Sequence, residues 1–120
     1  MKKTIMIKKR YEFKRLFSKG KFFYSEYINM YIQENNKKYN KLAIAVSKKQ
    51  GSAVIRNKFK RLIRENYKNF EIHLETGYNI LFIINKNSEL ETKDITFYNI
   101  RNNMKRMFKK AGIYNEENID

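Results

Sequence analysis

Between Lys48 and Lys68 the chain carries eight basic residues (Lys48, Lys49, Arg56, Lys58, Lys60, Arg61, Arg64, Lys68) and a single acid, Glu65. At the helical advance of ~100° per residue, Arg56, Asn57, Lys60, Arg61, Arg64 and Lys68 fall within one arc. Ile55, Phe59, Leu62, Ile63, Tyr67, Phe70 and Leu74 fill the adjoining arc, so one flank is built for burial and the next for charge. Three of the seven arginines sit in this stretch. A guanidinium presents a planar fork that matches phosphate oxygens two at a time, which an ammonium group cannot do. An ordinary solvated helix face balances its bases with acids; this one does not. The chemistry it suits is contact with a polyphosphate chain.

A second surface follows from period-two segments. From Phe22 to Gln33, Ile28, Met30 and Ile32 alternate with Tyr27, Asn29 and Tyr31. From Leu42 to Ser47, Leu42, Ile44 and Val46 alternate with Ala43, Ala45 and Ser47. With the isoleucine sets turned to the core, tyrosines and small residues share the opposite face. That pattern predicts a shallow groove with ring faces on which unpaired bases stack. Phe13 and Phe17 are either the wall of this groove or core residues beneath it, and Tyr31 is either part of it or a half-buried structural ring. Lys14, Arg15, Lys48 and Lys49 are expected at its rim.

Groups for protein-borne catalysis are scarce. There is no cysteine, which excludes disulfides, thiolate metal sites and cysteine nucleophiles, and His73 is the one histidine. Glu89, Glu91 and Asp94 cluster ahead of a helical segment, where acids favour the positive end of the helix dipole. No glycine-rich phosphate loop or hydrolase elbow occurs. The chain reads as a binder.

The elements that must hold these surfaces fit 120 residues with a net charge of +15, 42% hydrophobic residues and no proline. Lys9 to Phe17 predicts a short helix; two or three strands follow, then the basic helix from Ser52 to Leu74. Asn79 to Ile84 predicts a strand covered on both faces. Thr92 to Ala111 predicts a last helix that buries Ile95, Tyr98, Met104, Met107, Phe108 and Ala111. The expectation is an α+β sandwich of order α-β-β(-β)-α-β-α, one RNA-binding domain over 1–120 with flexible ends at 1–7 and 114–120. Apolar runs such as Ile80 to Ile84 are far short of the ~20 residues that span a bilayer. The four residues after Lys3 are too few for a secretory signal, so the expected location is the cytoplasm. Lys, Ile and Asn supply 50 of the 120 residues, a bias toward AT-rich codons, so position matters more than total charge.

The run Val46-Ser47-Lys48-Lys49-Gln50-Gly51-Ser52-Ala53-Val54-Ile55-Arg56-Asn57-Lys58-Phe59-Lys60-Arg61-Leu62-Ile63-Arg64-Glu65 closely resembles the signature of the protein subunit of bacterial ribonuclease P. Phe13 to Gly20 is similar to that family's first helix and its glycine, and Gly77-Tyr78-Asn79 to the start of its late strand. The likeness runs from about residue 8 to 113.

This resemblance implies a subunit that joins a catalytic RNA and assists endonucleolytic removal of the 5′ leader from precursor tRNA. It implies Mg²⁺ held mainly by the RNA, no protein-only metal site, and no obligate protein partner. It places the RNA subunit on Arg56, Asn57, Lys58, Lys60, Arg61, Arg64 and Lys68, and the leader on Phe13, Phe17, Tyr31, Lys48 and Lys49. It also implies a left-handed β-α-β crossover, an exception to the usual handedness. Lys58 stands where the family usually has arginine, Ser52 where asparagine is common, Ala43 where glycine is usual and Asn85 where arginine is frequent. The competing readings are a general RNA-binding or ribosomal protein and a stand-alone nuclease.

Overall fold

The computed structural model describes residues 3–85 and 95–116. In chain order the elements are β1 (Thr4–Met6), α1 (Arg10–Lys19), β2 (Lys21–Phe23), β3 (Ile28–Glu34), β4 (Asn40–Ala45), α2 (Ala53–Phe70), β5 (Tyr78–Ile84) and α3 (Phe97–Ala111). Short 3-10 turns at Lys48–Gln50 and Glu71–His73 flank α2. The strands form one sheet in the order β1-β4-β5-β3-β2. β1, β4 and β5 run parallel, whereas β3 is antiparallel to both of its neighbours. The sheet is thus mixed, and α2 forms the crossover between the parallel neighbours β4 and β5. The α+β class and the element order from α1 onward are as the sequence predicts.

Alternation along the strands sorts side chains into two layers. Ile32, Ile80 and Leu42 lie side by side across β3, β5 and β4, and Met30, Phe82 and Ile44 form the next row. These rows join Phe59, Ile63 and Tyr67 of α2 and Ile100, Met104 and Phe108 of α3 in the main core. Phe108 sits at its centre, with ring centroids 5.4 Å from Phe70, 5.8 Å from Phe82 and 6.5 Å from Tyr67. Tyr67 is fully buried, and its hydroxyl lies 2.8 Å from Thr4 Oγ1, tying α2 to β1. Burial pushes that phenol up to about 12. The smaller second core lies on the opposite sheet face, where Leu16 of α1 meets Ile7, Ala43 and Leu81.

Gly20 lets α1 pass straight into β2. Its N–H donates to the Leu16 carbonyl at 2.9 Å, and a Cβ there would stand 2.5 Å from that same oxygen.

Three expectations change. The end expected to be flexible at 1–7 instead supplies β1, because Thr4–Met6 pairs with Asn40–Leu42 and the Ile7 N–H donates to the Leu42 carbonyl at 2.8 Å. At the other end Tyr114 forms an isolated bridge with Leu74, and Ile113 is buried. The last helix begins at Phe97 with Thr96 as N-cap, and Tyr98 lies on the side away from Ile100, Met104 and Met107, so it is 69% exposed rather than in the core. Glu89, Glu91 and Asp94 lie outside the described residues.

Candidate nucleic-acid interface

α2 begins where its sequence provides for it. Ser47 caps the 3-10 turn that carries Lys48 and Lys49, accepting from the Lys49 N–H, while the Gln50 side chain accepts from the Ser47 N–H. Gly51 follows with φ 146°, a conformation that side chains disfavour, and Ser52 Oγ accepts from the Ile55 N–H to start the helix. Phe59, Leu62, Ile63, Asn66, Tyr67 and Phe70 are buried against the sheet and α3. This greasy flank fixes how the charged flank is presented.

Asn57, Arg61, Arg64 and Lys68 stand exposed on the outer surface of α2, and Arg56 and Lys60 are half-buried along one edge. Asn57, Lys58, Lys60, Arg61 and Arg64 line a shallow groove together with Val54. Lys58 leans toward the opposite edge of the helix from Arg56 and Lys60. Glu65 is the acid nearest this set, with Oε1 3.9 Å from Arg61 Nε and both side chains more than half exposed. Such a loose exposed pair neutralises little. The Nε of Arg56 is buried without a hydrogen-bond partner among the described residues.

The opposite sheet face carries the second surface. Register places Phe22, Tyr31, Leu81 and Ala43 side by side across β2, β3, β5 and β4. Tyr31 lies between two phenylalanines, its ring centroid 4.9 Å from that of Phe17 and 4.9 Å from that of Phe22. Phe17 and Phe22 are each 48% exposed, while Phe13 is partly buried against the second core. Ala45 and Ile83 pair in the next row and are only partly covered. The result is a three-ring cleft beside α1. Lys48 and Lys49 are exposed just past the end of β4, so the turn joining β4 to α2 links the two surfaces.

Phe22 escaped the sequence reading. One unbroken alternation from Phe22 to Gln33 assigns it to the core side with Ile28 and Met30. The structure instead breaks the segment at residues 24–27 and folds it into a hairpin that pairs Phe22 with Tyr31, which turns Phe22 to the cleft face. Tyr27 moves the other way. It leaves the groove and enters the main core, because its N–H donates to Asn103 Oδ1 at 2.8 Å. Arg15 also leaves the expected rim: it lies on the far flank of α1, beside Gln33 and Glu34.

The hairpin turn is pinned from below. Ser25 Oγ lies 2.8 Å from the Asn103 side-chain oxygen and against the Ile28 carbonyl, with its one proton to share between the two acceptors. Asn85 Nδ2 donates to the Ser25 carbonyl at 2.8 Å, and the Asn85 N–H to the Tyr27 carbonyl at 2.8 Å. Asn85 is therefore a buried strut rather than a surface group.

Mg²⁺ demands a near-octahedral shell of oxygens. The two surfaces offer ammonium, guanidinium and aromatic groups, with Glu65 as the one carboxylate along the described α2 face, and this donor set does not fit the ion. Among the described residues no three His, Cys, Asp or Glu side chains are grouped as metal ligands, and no helix is long and apolar enough to cross a membrane.

A family model described as Ribonuclease P matches residues 1–112. The ribonuclease P protein component of a Thermoanaerobacter species is 34% identical over 113 residues, covering 94% of each chain. That of Clostridium kluyveri is 37% identical over 110 residues, covering 90% of this chain and 95% of the relative. Among solved structures, the Staphylococcus aureus RNase P protein superposes with a TM-score of 0.78 at 35% identity, covering 92% of this chain and 97% of that one. The Thermotoga maritima protein gives a TM-score of 0.79 at 28% identity, covering 88% and 96%.

Proposed function

The chain belongs to the ribonuclease P protein family, and from that membership we propose how its two surfaces divide the work of the enzyme. It is the protein component of an endoribonuclease that matures tRNA 5′ ends, with RNA as the catalytic subunit. α2 holds the RNA subunit through Arg56, Asn57, Lys60, Arg61, Arg64 and Lys68, with Lys58 adding a point charge from the helix edge. The ring cleft of Phe17, Tyr31 and Phe22 takes the single-stranded 5′ leader of precursor tRNA, with Phe13 as its floor and Lys48 and Lys49 on the leader phosphates. Mg²⁺ stays with the RNA.

The observation that carries this division is the contrast in exposed groups on opposite sheet faces. One face presents unneutralised cations on a rigid helix, suited to a folded RNA backbone; the other presents half-exposed rings, suited to unpaired bases. Stacking is worth ~1–3 kcal/mol per base and depends little on base identity. That tolerance matches a subunit that must accept many leaders.

Reconstitution tests the proposal. Adding the purified chain to a bacterial ribonuclease P RNA at low Mg²⁺ should raise the rate of precursor tRNA cleavage. RNA binding without any such stimulation would instead support the general RNA-binding reading.

A further inference from the structure

α1 crosses the sheet and divides that face into two grooves. Phe13 and Phe17 border the aromatic cleft. On the other flank, Tyr11, Glu12 and Arg15 border a polar pocket of about 370 Å³. We propose that this pocket is a separate RNA contact that receives one unpaired nucleotide.

The pocket floor is the row Gln33, Asn79 and Lys41, adjacent residues of β3, β5 and β4. Lys41 Nζ lies 2.9 Å from Glu12 Oε2, so that ammonium and that carboxylate satisfy each other. The wall is a turn set by Asn35, whose Nδ2 donates to the Tyr39 carbonyl at 3.3 Å and to Asn79 Oδ1 at 3.0 Å. Asn35 Oδ1 accepts from the Lys37 N–H at 2.7 Å, and Asn36 sits at φ 58°. With the turn held in this way, the Gln33 amide and the Asn79 Nδ2 have no partner among the described residues. The Asn79 amide is held by the bond its Oδ1 accepts from Asn35, and beside it Gln33 adds a second amide to the strand floor, the groups that read a base edge.

The surrounding groups complete a nucleotide's needs. Tyr11 is 58% exposed at the pocket mouth, with Lys9 Nζ 5.7 Å from its ring centroid. Once Lys41 and Glu12 are paired, Lys9, Arg15 and Lys37 face Glu34 alone, so the lining is net cationic. An apolar peptide finds few partners here, whereas a base with its phosphate matches amides, ring and cations together. The volume lies at the lower end of small-ligand sites, which suits one nucleotide. The nucleotide can come from the RNA subunit or from the leader. The pocket stands whether or not the aromatic cleft holds the leader.

The test titrates the full chain with each of the four nucleoside 5′-monophosphates and with inorganic phosphate, followed by backbone amide NMR. At least one nucleotide should give saturable shifts at Gln33, Asn35 and Tyr39 that phosphate does not reproduce. Gln33→Ala should weaken that binding about ten-fold, the size of one lost base contact. Arg15→Gln, a change on the exposed helix flank, provides a second variant if the strand substitution harms folding. In the reconstituted enzyme, a loss by Arg15→Gln for the RNA subunit alone assigns the nucleotide to that RNA. A loss only with leader-bearing substrate assigns it to the leader. Equal shifts with phosphate and nucleotides, shifts confined to α2 and the cleft, or unchanged affinity for both RNAs would overturn the proposal.

Discussion

The outer face of α2 and the ring cleft both serve RNA in this reading, yet they are built on different principles. The α2 face is a single element: a buried flank anchors it and seven polar groups project from one helix. Its energy is long-range and additive, and it falls as salt rises. The cleft draws Phe17 from α1, Phe22 from β2 and Tyr31 from β3, and it exists only while those elements keep register. Its energy is short-range and depends on ring placement. Charge on a helix tolerates small shifts; stacked rings across a hairpin do not.

The largest expected effect is on α2. Replacing Arg56, Lys60, Arg61 and Arg64 together with alanine should lower affinity for the RNA subunit roughly a hundred-fold at moderate salt. The plot of log affinity against log salt should flatten by about 0.7–0.9 per lost phosphate contact. An unchanged slope would remove α2 from the RNA interface and break the contrast at its stronger side.

Next in size is the cleft. Phe17→Ala, Phe22→Ala or Tyr31→Ala should each weaken binding of leader-bearing precursor about ten-fold, in line with the loss of one stacked base. Affinity for mature tRNA and the salt slope should stay as in the unaltered protein. Equal losses for precursor and mature tRNA would mean that the rings serve another part of the substrate.

The smallest effect sharpens the difference in construction. Asn85→Ala strands the Ser25 carbonyl beneath the hairpin and should cost about 1–3 kcal/mol in urea unfolding. It should also weaken leader binding by a few-fold while leaving RNA-subunit affinity intact. A loss confined to stability would show that the hairpin holds its rings without this strut.

These constructions also explain what the sequence could reveal. α2 was readable because a helix face depends on spacing within one segment. Phe13 to Gly20, the strands β3, β4 and β5, and the exclusion of a thiol-based site were readable for the same local reason. Phe22 was not, because its face depends on which residue lies opposite it in a hairpin, and one misplaced break inverts the assignment. Tyr27 followed the same false alternation until the Asn103 side chain, 76 residues away, claimed its N–H. β1 is three residues long and makes sense only once β4 is beside it. Tyr98 is apolar enough to suggest core, but at ~100° per residue it falls on the side opposite Met104 and Met107.

The central position of β5 bears on how the protein is made. Residues 78–84 leave the ribosome after about two thirds of the chain, yet they are the seam between β4 and β3. Until then β1 has only β4 and β2 has only β3, and two such fragments lack the shared layer that makes a sheet persist. A nascent chain that halts just short of β5 therefore carries 20 of the 27 basic residues while its two half-sheets still lack the strand that joins them.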